Sequence, residues 1–366
     1  MWLSVKLLVN GFMIKFRRIV MGLRISVICN DGSPLQVTEQ SIYGQDGRAG
    51  VGGAELALLT LCRGWHDAGH RVTLYNSPEV PNGSCFEQKG IDEFQPFAPR
   101  DILIVFRSPN MRIRDGANGL KIWWSCDQRT VGDFKSFSTL VDKIVTISPH
   151  HAQYFRDIYG IFDTITIDIP VRTWEYDLSI QKVPYQCIFN SIPDRGTLEL
   201  AQVWRRVIEK FPEAQLVITS DWRLWTKFAT WEHTAQYRAA FAALPNVTYR
   251  GAINRKDLVQ LELESQIHIN PNIYEELFMI SMAETQVAGA YPVSSTTGAI
   301  KTTCMGTLID GNPGSPDWQD ECADYVVELL KDQNCLNGFS KDVQQKALER
   351  FSLENILKQW EQKVFS

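Results

Sequence analysis

From residue 23 onward the chain alternates short apolar, β-branched runs with longer segments whose apolar positions recur at helical spacing. That alternation predicts parallel βαβ units. In the first half, LRISVIC (23–29), RVTLYN (71–76), DILIVF (101–106), LKIWWS (120–125) and KIVTIS (143–148) read as strands. Their apolar character is continuous rather than alternating, which suits a sheet covered on both faces. Between the first two lies GGAELALLTLCRGWHDAGH, where Leu56, Leu59, Leu61 and Trp65 keep an apolar face until Gly69 ends the helix.

A second series begins near residue 186. QCIFN, QLVITS, NVTYRG, IHINP and YPVSS read as strands, and TLELAQVWRRVIEKF as an amphipathic helix. Residues from about 168 to 184 contain Pro170 and Pro184 and show no period, which marks an interdomain connection. The expected divisions are an N-terminal extension (1–22), two Rossmann-like domains (23–175 and 176–345) and a C-terminal helical tail (346–366). Within the tail, SLENILKQWEQKVF starts at a Ser352 cap with Glu354 in its first turn. Two doubly wound α/β lobes bring the carboxyl ends of both sheets to a shared crevice, where such sheets bind ligands.

The length of 366 residues suits two such lobes. Lys and Arg total 37 against 42 Asp and Glu, a formal charge of −5, so the basic footprint of a nucleic-acid binder is missing. An anionic ligand must be met by local groups. The eight cysteines are scattered, without a CxxC or a His at zinc-ligand spacing, and read as reduced thiols of a cytoplasmic protein without a metal. No run approaches the roughly 18 apolar residues of a membrane span. The segment MWLSVKLLVNGFMIKFRRIV (1–20) carries Lys6, Lys15, Arg17 and Arg18 among apolar residues. It reads as a flexible extension, as a leader before a start at Met21, or as a peripheral membrane contact; the small-residue cleavage site of a signal peptide is missing.

The candidate chemistry lies in ELFMISMAETQVAGAYP (276–292). Two glutamates eight residues apart ordinarily mark a solvated helix face. Glu284, however, sits among Met282, Ala283, Val287 and Ala288 and is followed by Gly289 and a strand. Read as one helix, the eight steps from Glu276 to Glu284 span roughly 12 Å. That matches the distance from a hexose, across a folded diphosphate, to a ribose. Carboxylates accept hydrogen bonds from vicinal hydroxyls, and the free amides near Leu277, Phe278 and Met279 would face the diphosphate.

This segment resembles the signature of the retaining glycosyltransferases of family 4, which have the GT-B fold. Glu276, Phe278, Glu284, Gly289, Pro292 and Val293 match in order, with one extra residue before Pro292, while Met279 replaces a glycine and Thr285 an alanine. The resemblance runs from residue 23 to about 362. Gly52-Gly53-Ala54-Glu55 is similar to the family's GGAE loop beside the donor phosphates, although a plain helix-entry turn has the same composition. SIPDRG (191–196) resembles the loop that places a basic residue on the diphosphate, making Arg195 the candidate, with Asn190 where many relatives carry a second arginine. Pairing of Arg195 with a nearby surface carboxylate, or plain exposure to solvent, is the alternative. WWSCDQRT (123–130) resembles a strand end bearing a His-Asp pair: Asp127 matches, and Cys126 takes the histidine position near the transferred sugar. Asp127 then orients an acceptor hydroxyl, or merely caps a helix or lies on the surface.

The resemblance implies catalytic roles for Arg195, Glu276 and Asp127. Donor contacts fall to Gly52, Gly53, Arg195, Glu276, Leu277, Phe278 and Glu284. It implies transfer with retention from a nucleotide-diphospho-sugar, as co-substrate rather than cofactor, to a glycan, lipid-linked or small-molecule acceptor. The first domain takes the acceptor side and the second the donor side. No DxD motif is present to hold a divalent cation, so a metal-independent reaction is expected. Other readings are a GT-B nucleotide-sugar epimerase or phosphorylase, and a sugar-nucleotide-binding protein with little turnover. His150 and His151 read as structural or exposed, and His268, inside an apolar strand, as a satisfied core histidine.

Overall fold

The structure, a computed structural model, describes residues 8–9, 12–13, 22–29, 35–224 and 229–366. Of the extension expected at residues 1–22, the structure describes Gly22 and two paired two-residue strands, Leu8–Val9 and Phe12–Met13; the expected membrane contact lies outside the described residues.

The first lobe is a seven-stranded sheet, parallel at every pairing. In chain order its strands are β1 (Arg24–Ile28), β2 (Arg71–Tyr75), β3 (Glu87–Lys89), β4 (Ile102–Phe106), β5 (Leu120–Trp124), β6 (Lys143–Thr146) and β7 (Ile165–Thr166), and in space they run β3-β2-β1-β4-β5-β6-β7. All five residues of β4 are buried, as a central strand covered on both faces requires. One apolar layer joins Val27, Leu74 and Ile104 to α1 (Gly53–Asp67), whose Leu56, Leu59, Leu61 and Trp65 are buried; the opposite face packs Leu103, Val105 and Trp123 against Phe134, Phe137 and Phe155.

The second lobe repeats the plan with six parallel strands: β8 (Gln186–Phe189), β9 (Gln215–Ile218), β10 (Val247–Tyr249), β11 (Ile267–Asn270), β12 (Tyr291–Ser295) and β13 (Thr307–Ile309), in the order β10-β9-β8-β11-β12-β13. Here α2 (Thr197–Lys210) buries Leu200, Val203, Trp204 and Val207, a single face at spacings of three and four. The expected fold, two Rossmann-like doubly wound domains facing a central cleft, is the fold observed. Strands β3, β7 and β13 do not stand out in the sequence. They are short edge strands without a continuous apolar run, so they carry little of the signal that marks a buried strand.

The chain end crosses back. A helix over Gln333–Phe351 runs through position 345, and the next, Leu353–Gln359, opens on Ser352, whose hydroxyl accepts from the Asn355 amide at 3.4 Å. Trp360 then packs in the first lobe, 5.3 Å from Trp65 and 5.6 Å from Trp124 between ring centroids. The two lobes are therefore held at the connection and again by the C-terminal helices.

Candidate functional site

In each sheet the strand order reverses between two neighbours, β1 and β4 in the first lobe, β8 and β11 in the second. Loops leaving the carboxyl ends of such strands diverge and open a crevice. Three of these four loops carry the candidate chemistry: Arg107 directly after β4, Asn190 to Gly196 after β8, and Pro271 to Met279 after β11. Gly52 caps α1, which closes the connection after β1.

The resulting cleft has a volume of about 330 Å³, within the range of ligand sites. All eight residues singled out from the sequence, Gly52, Gly53, Asp127, Arg195, Glu276, Leu277, Phe278 and Glu284, line it. One local expectation is corrected. The segment after Glu276 is not helical at once: the helix, α4, runs from Ile280 to Val287 and is entered through Met279 at φ +68°. Glu276 thus sits on a loop, and the amides at the helix start belong to Ile280 and Ser281 instead of Leu277 to Met279. A left-handed residue is where glycine is preferred, and glycine is what the signature that this segment resembles carries there; Met279 accepts the conformation while burying its side chain against Met282, Ile300 and Cys304. Phe278 is core, 5.7 Å from the Phe351 ring, so its side chain is not free for a ligand.

Arg195 is almost fully buried and pairs with both Glu276, at 2.9 Å, and Asp194, at 2.6 Å, while its guanidinium lies 3.4 Å from the centre of the Tyr274 ring. Gly196 makes this loop possible. Its φ is +97°, and a Cβ there would fall 2.1 Å from the Pro271 carbonyl oxygen, so the β8 and β11 loops touch backbone to backbone. Burial pushes the Glu276 carboxyl upward, and Arg195 opposes the shift.

Two arginines that sequence reasoning passed over complete the walls. Arg107, at φ +69°, pairs with Asp127 and lies 3.8 Å from Glu55. Arg255, the first residue of α3 (Arg255–Glu264), lies 2.6 Å from Glu284. Burial raises the Glu284 carboxyl and Arg255 pulls it back. Each arginine of the cleft is thus paired with a carboxylate of its own lobe, and an anionic ligand has to compete for it. The only sequence signal for Arg107 is its place immediately after a central strand. Arg255 follows a helix-capping Asn254, a position that ordinarily faces solvent.

Cys126 is buried, and burial followed by the Asp127 charge pushes its thiol well above the ordinary range. It is neutral at pH 7 and does not replace a histidine as proton acceptor. His151 and His268 are fully buried, each lowered to about 3 by desolvation; His268 Nδ1 lies 2.8 Å from the Thr285 hydroxyl. His150 Nε2 stands 3.1 Å from Glu275 Oε1, linking the lobes at the cleft rim. Outside the cleft, His66, Asp67 and Cys85 bring three ligating atoms within 4.8 Å at the far end of α1, all three exposed. All eight cysteines are free, and among the described residues no helix is long and apolar enough to cross a membrane.

No protein-family model matches the sequence, and no curated protein matches it. Solved structures do match in fold. Sucrose-phosphate synthase from Thermosynechococcus elongatus superimposes with a TM-score of 0.67 at 14% identity, over 93% of this chain and 98% of that one. A glycosyltransferase from Rickettsia africae gives 0.68 at 14% identity, again over 93% and 98%. Anabaena HepE, solved in complex with UDP and glucose, gives 0.63 at 14% identity over 93% and 99%. The chain has the GT-B fold.

Proposed function

We propose that this chain is a glycosyltransferase that moves a sugar from a nucleotide-diphospho-sugar to an acceptor hydroxyl, with retention of anomeric configuration and without a metal. The observation that carries the reading is the convergence of Arg195, Glu276 and Glu284 on the starts of α1 and α4 in one cleft between two Rossmann-like lobes. Helix starts favour anions, and a guanidinium can take the diphosphate in a bidentate grip. Glu276 and Glu284 lie on either side of the α4 start and offer acceptors to the hydroxyls of the sugar and of the ribose. GT-B neighbours named as glycosyltransferases, and another GT-B neighbour holding UDP and glucose, support the same reading.

In this mechanism the acceptor oxygen attacks the anomeric carbon from the face the diphosphate leaves. The bond to the diphosphate oxygen breaks, and the acceptor proton passes to that oxygen. Arg195 and the helix amides stabilise the charge that develops there, which requires Arg195 to exchange part of its pairing with Glu276 and Asp194 for the diphosphate. On the first lobe Asp127, held by Arg107, orients the acceptor hydroxyl. The acceptor is a glycan, a lipid-linked sugar or a small molecule.

A second reading, a nucleotide-sugar-binding protein with little turnover, is favoured by Cys126, a neutral thiol where the resembling family has a histidine. Product analysis separates the two, since only the transferase releases nucleoside diphosphate together with a glycoside. An epimerase would return an isomerised nucleotide-sugar and a phosphorylase a sugar phosphate.

The first experiment is a thermal-shift screen over UDP-, GDP-, ADP- and TDP-sugars. A ligand at 100 times its dissociation constant stabilises by about 2.7 kcal/mol. Glu284→Ala is expected to abolish the shift, and a shift that persists in this variant rejects the site. Chelation is expected to leave turnover unchanged; activity lost to chelator and regained with Mg²⁺ or Mn²⁺ rejects metal independence.

A further inference from the structure

The connection between the lobes carries side chains buried more deeply than a connection requires: Arg172 is fully buried, Tyr176 is 6% exposed, and the Glu175 side chain is 10% exposed. Glu175 divides its two oxygens between the lobes. Oε1 accepts from Arg172 Nε at 2.6 Å and from the Tyr43 hydroxyl of the first lobe at 2.7 Å. Oε2 accepts from Arg255 Nε of the second lobe at 2.7 Å. Arg172 reaches back to the first lobe through Tyr43 Oη at 3.1 Å and Thr60 Oγ1 at 3.4 Å. Arg255 extends the chain into the cleft, where its Nη1 meets Glu284 Oε1 at 2.6 Å.

A buried ion-pair network contributes little net stability, since apolar residues of the same volume hold elements together as well or better. What apolar packing does not do is hold one carboxylate in a fixed place on the wall of a cleft. We propose that Glu175 and Arg255 are positioning residues for Glu284, through which the connection between the lobes sets the donor-binding carboxylate. The inference rests on the reading of Glu284 as the acceptor of ribose hydroxyls.

A guanidinium shared by two carboxylates takes its orientation from both. Without the Glu175 charge, Arg255 keeps Glu284 as its carboxylate partner and the Tyr176 hydroxyl at 3.3 Å; it then follows Glu284 and neutralises it more fully, and both effects weaken the grip of Glu284 on hydroxyls. A shift of the connection as the lobes close moves Glu175 and is passed on by the same bonds, so donor affinity depends on lobe position.

The test is calorimetric titration of the full chain with UDP, GDP, ADP and TDP, in the unaltered protein and in Glu175→Gln, Glu284→Gln and the double variant. Glu175→Gln is expected to weaken the nucleotide that binds about tenfold, and by less than about twofold in the Glu284→Gln background, because the effect travels through Glu284. Tyr43→Phe removes the hydroxyl on Glu175 Oε1 from a partly exposed ring. It is expected to give the same pattern at smaller size, and it decides the question should Glu175→Gln fail to fold. Equal losses in both backgrounds, or no loss, overturn the inference and leave the functional reading standing. Failure of all four nucleotides to bind the unaltered protein overturns the reading itself.

Discussion

Gly53 and Ile280 meet across the cleft, such that a Cβ on Gly53 would stand 2.8 Å from Cγ2 of Ile280. Each residue opens a helix, one in each lobe. The missing side chain therefore lets two helix starts, two partial positive charges, face one space. Nothing inside either lobe demands this glycine; the contact between lobes does.

Gly53→Ala is accordingly expected to wedge the lobes apart. Overpacking of this kind costs about 1–3 kcal/mol, less a fraction of a kcal/mol recovered because alanine is the better helix former. The thermal shift with UDP-sugars should shrink, and Gly53→Ala/Ile280→Ala should recover it. A double variant that binds no better than the single one rejects the steric account.

Arg195→Met removes the guanidinium and leaves Glu276 and Asp194 facing each other without it. Diphosphate affinity is expected to fall at least tenfold, about 1.4 kcal/mol, with Arg195→Lys intermediate because a lysine lacks the bidentate fork. Calorimetry with UDP and with the nucleoside alone makes the check: the loss should appear for UDP and not for uridine.

Met279 sets strain against burial. Replacing it by glycine relieves left-handed backbone worth about 1–2 kcal/mol but removes a buried side chain worth about 2–5 kcal/mol with its cavity. Burial outweighs strain, so Met279→Gly should be destabilised by about 2 kcal/mol in urea unfolding. A stabilised variant would show that strain dominates.

Glu262 is fully buried and accepts from Tyr176 Oη and Asn190 Nδ2, each at 2.7 Å. Burial, then the nearby Glu284, pushes its carboxyl from 4.5 up to about 8. The folded protein keeps a proton that the unfolded chain releases, so this group's contribution is complete below about pH 4.5 and is lost as pH rises through about 8. Glu262→Gln should gain on the unaltered protein by a few kcal/mol between pH 5 and pH 8.5. Paired urea titrations at the two pH values measure this, and a gap that does not change with pH contradicts it.

Much of the fold was legible because central parallel strands are apolar along their whole length and helices carry a one-sided stripe; β4 and α2 needed no neighbour to be recognised. The edge strands Glu87–Lys89 and Thr307–Ile309 were not legible, since their pairing is decided by the strand beside them. Among site residues, Glu276, Glu284, Arg195 and Gly53 stood in recognisable local patterns. Arg107 and Arg255 did not, because what distinguishes them is a carboxylate 20 or more positions away.

The sequence by itself determined two doubly wound lobes, the loops at their carboxyl ends and the residues those loops carry, all properties of spacing within about 20 positions. Tertiary structure decided the rest. It started α4 at Ile280 instead of at Glu276, returned Trp360 to the first lobe, and paired every cleft arginine with an acid. The physical reason is that an ion pair or a steric contact depends on distance in space, and residues 107 and 127, or 255 and 284, become neighbours only when the sheets have set their loops side by side.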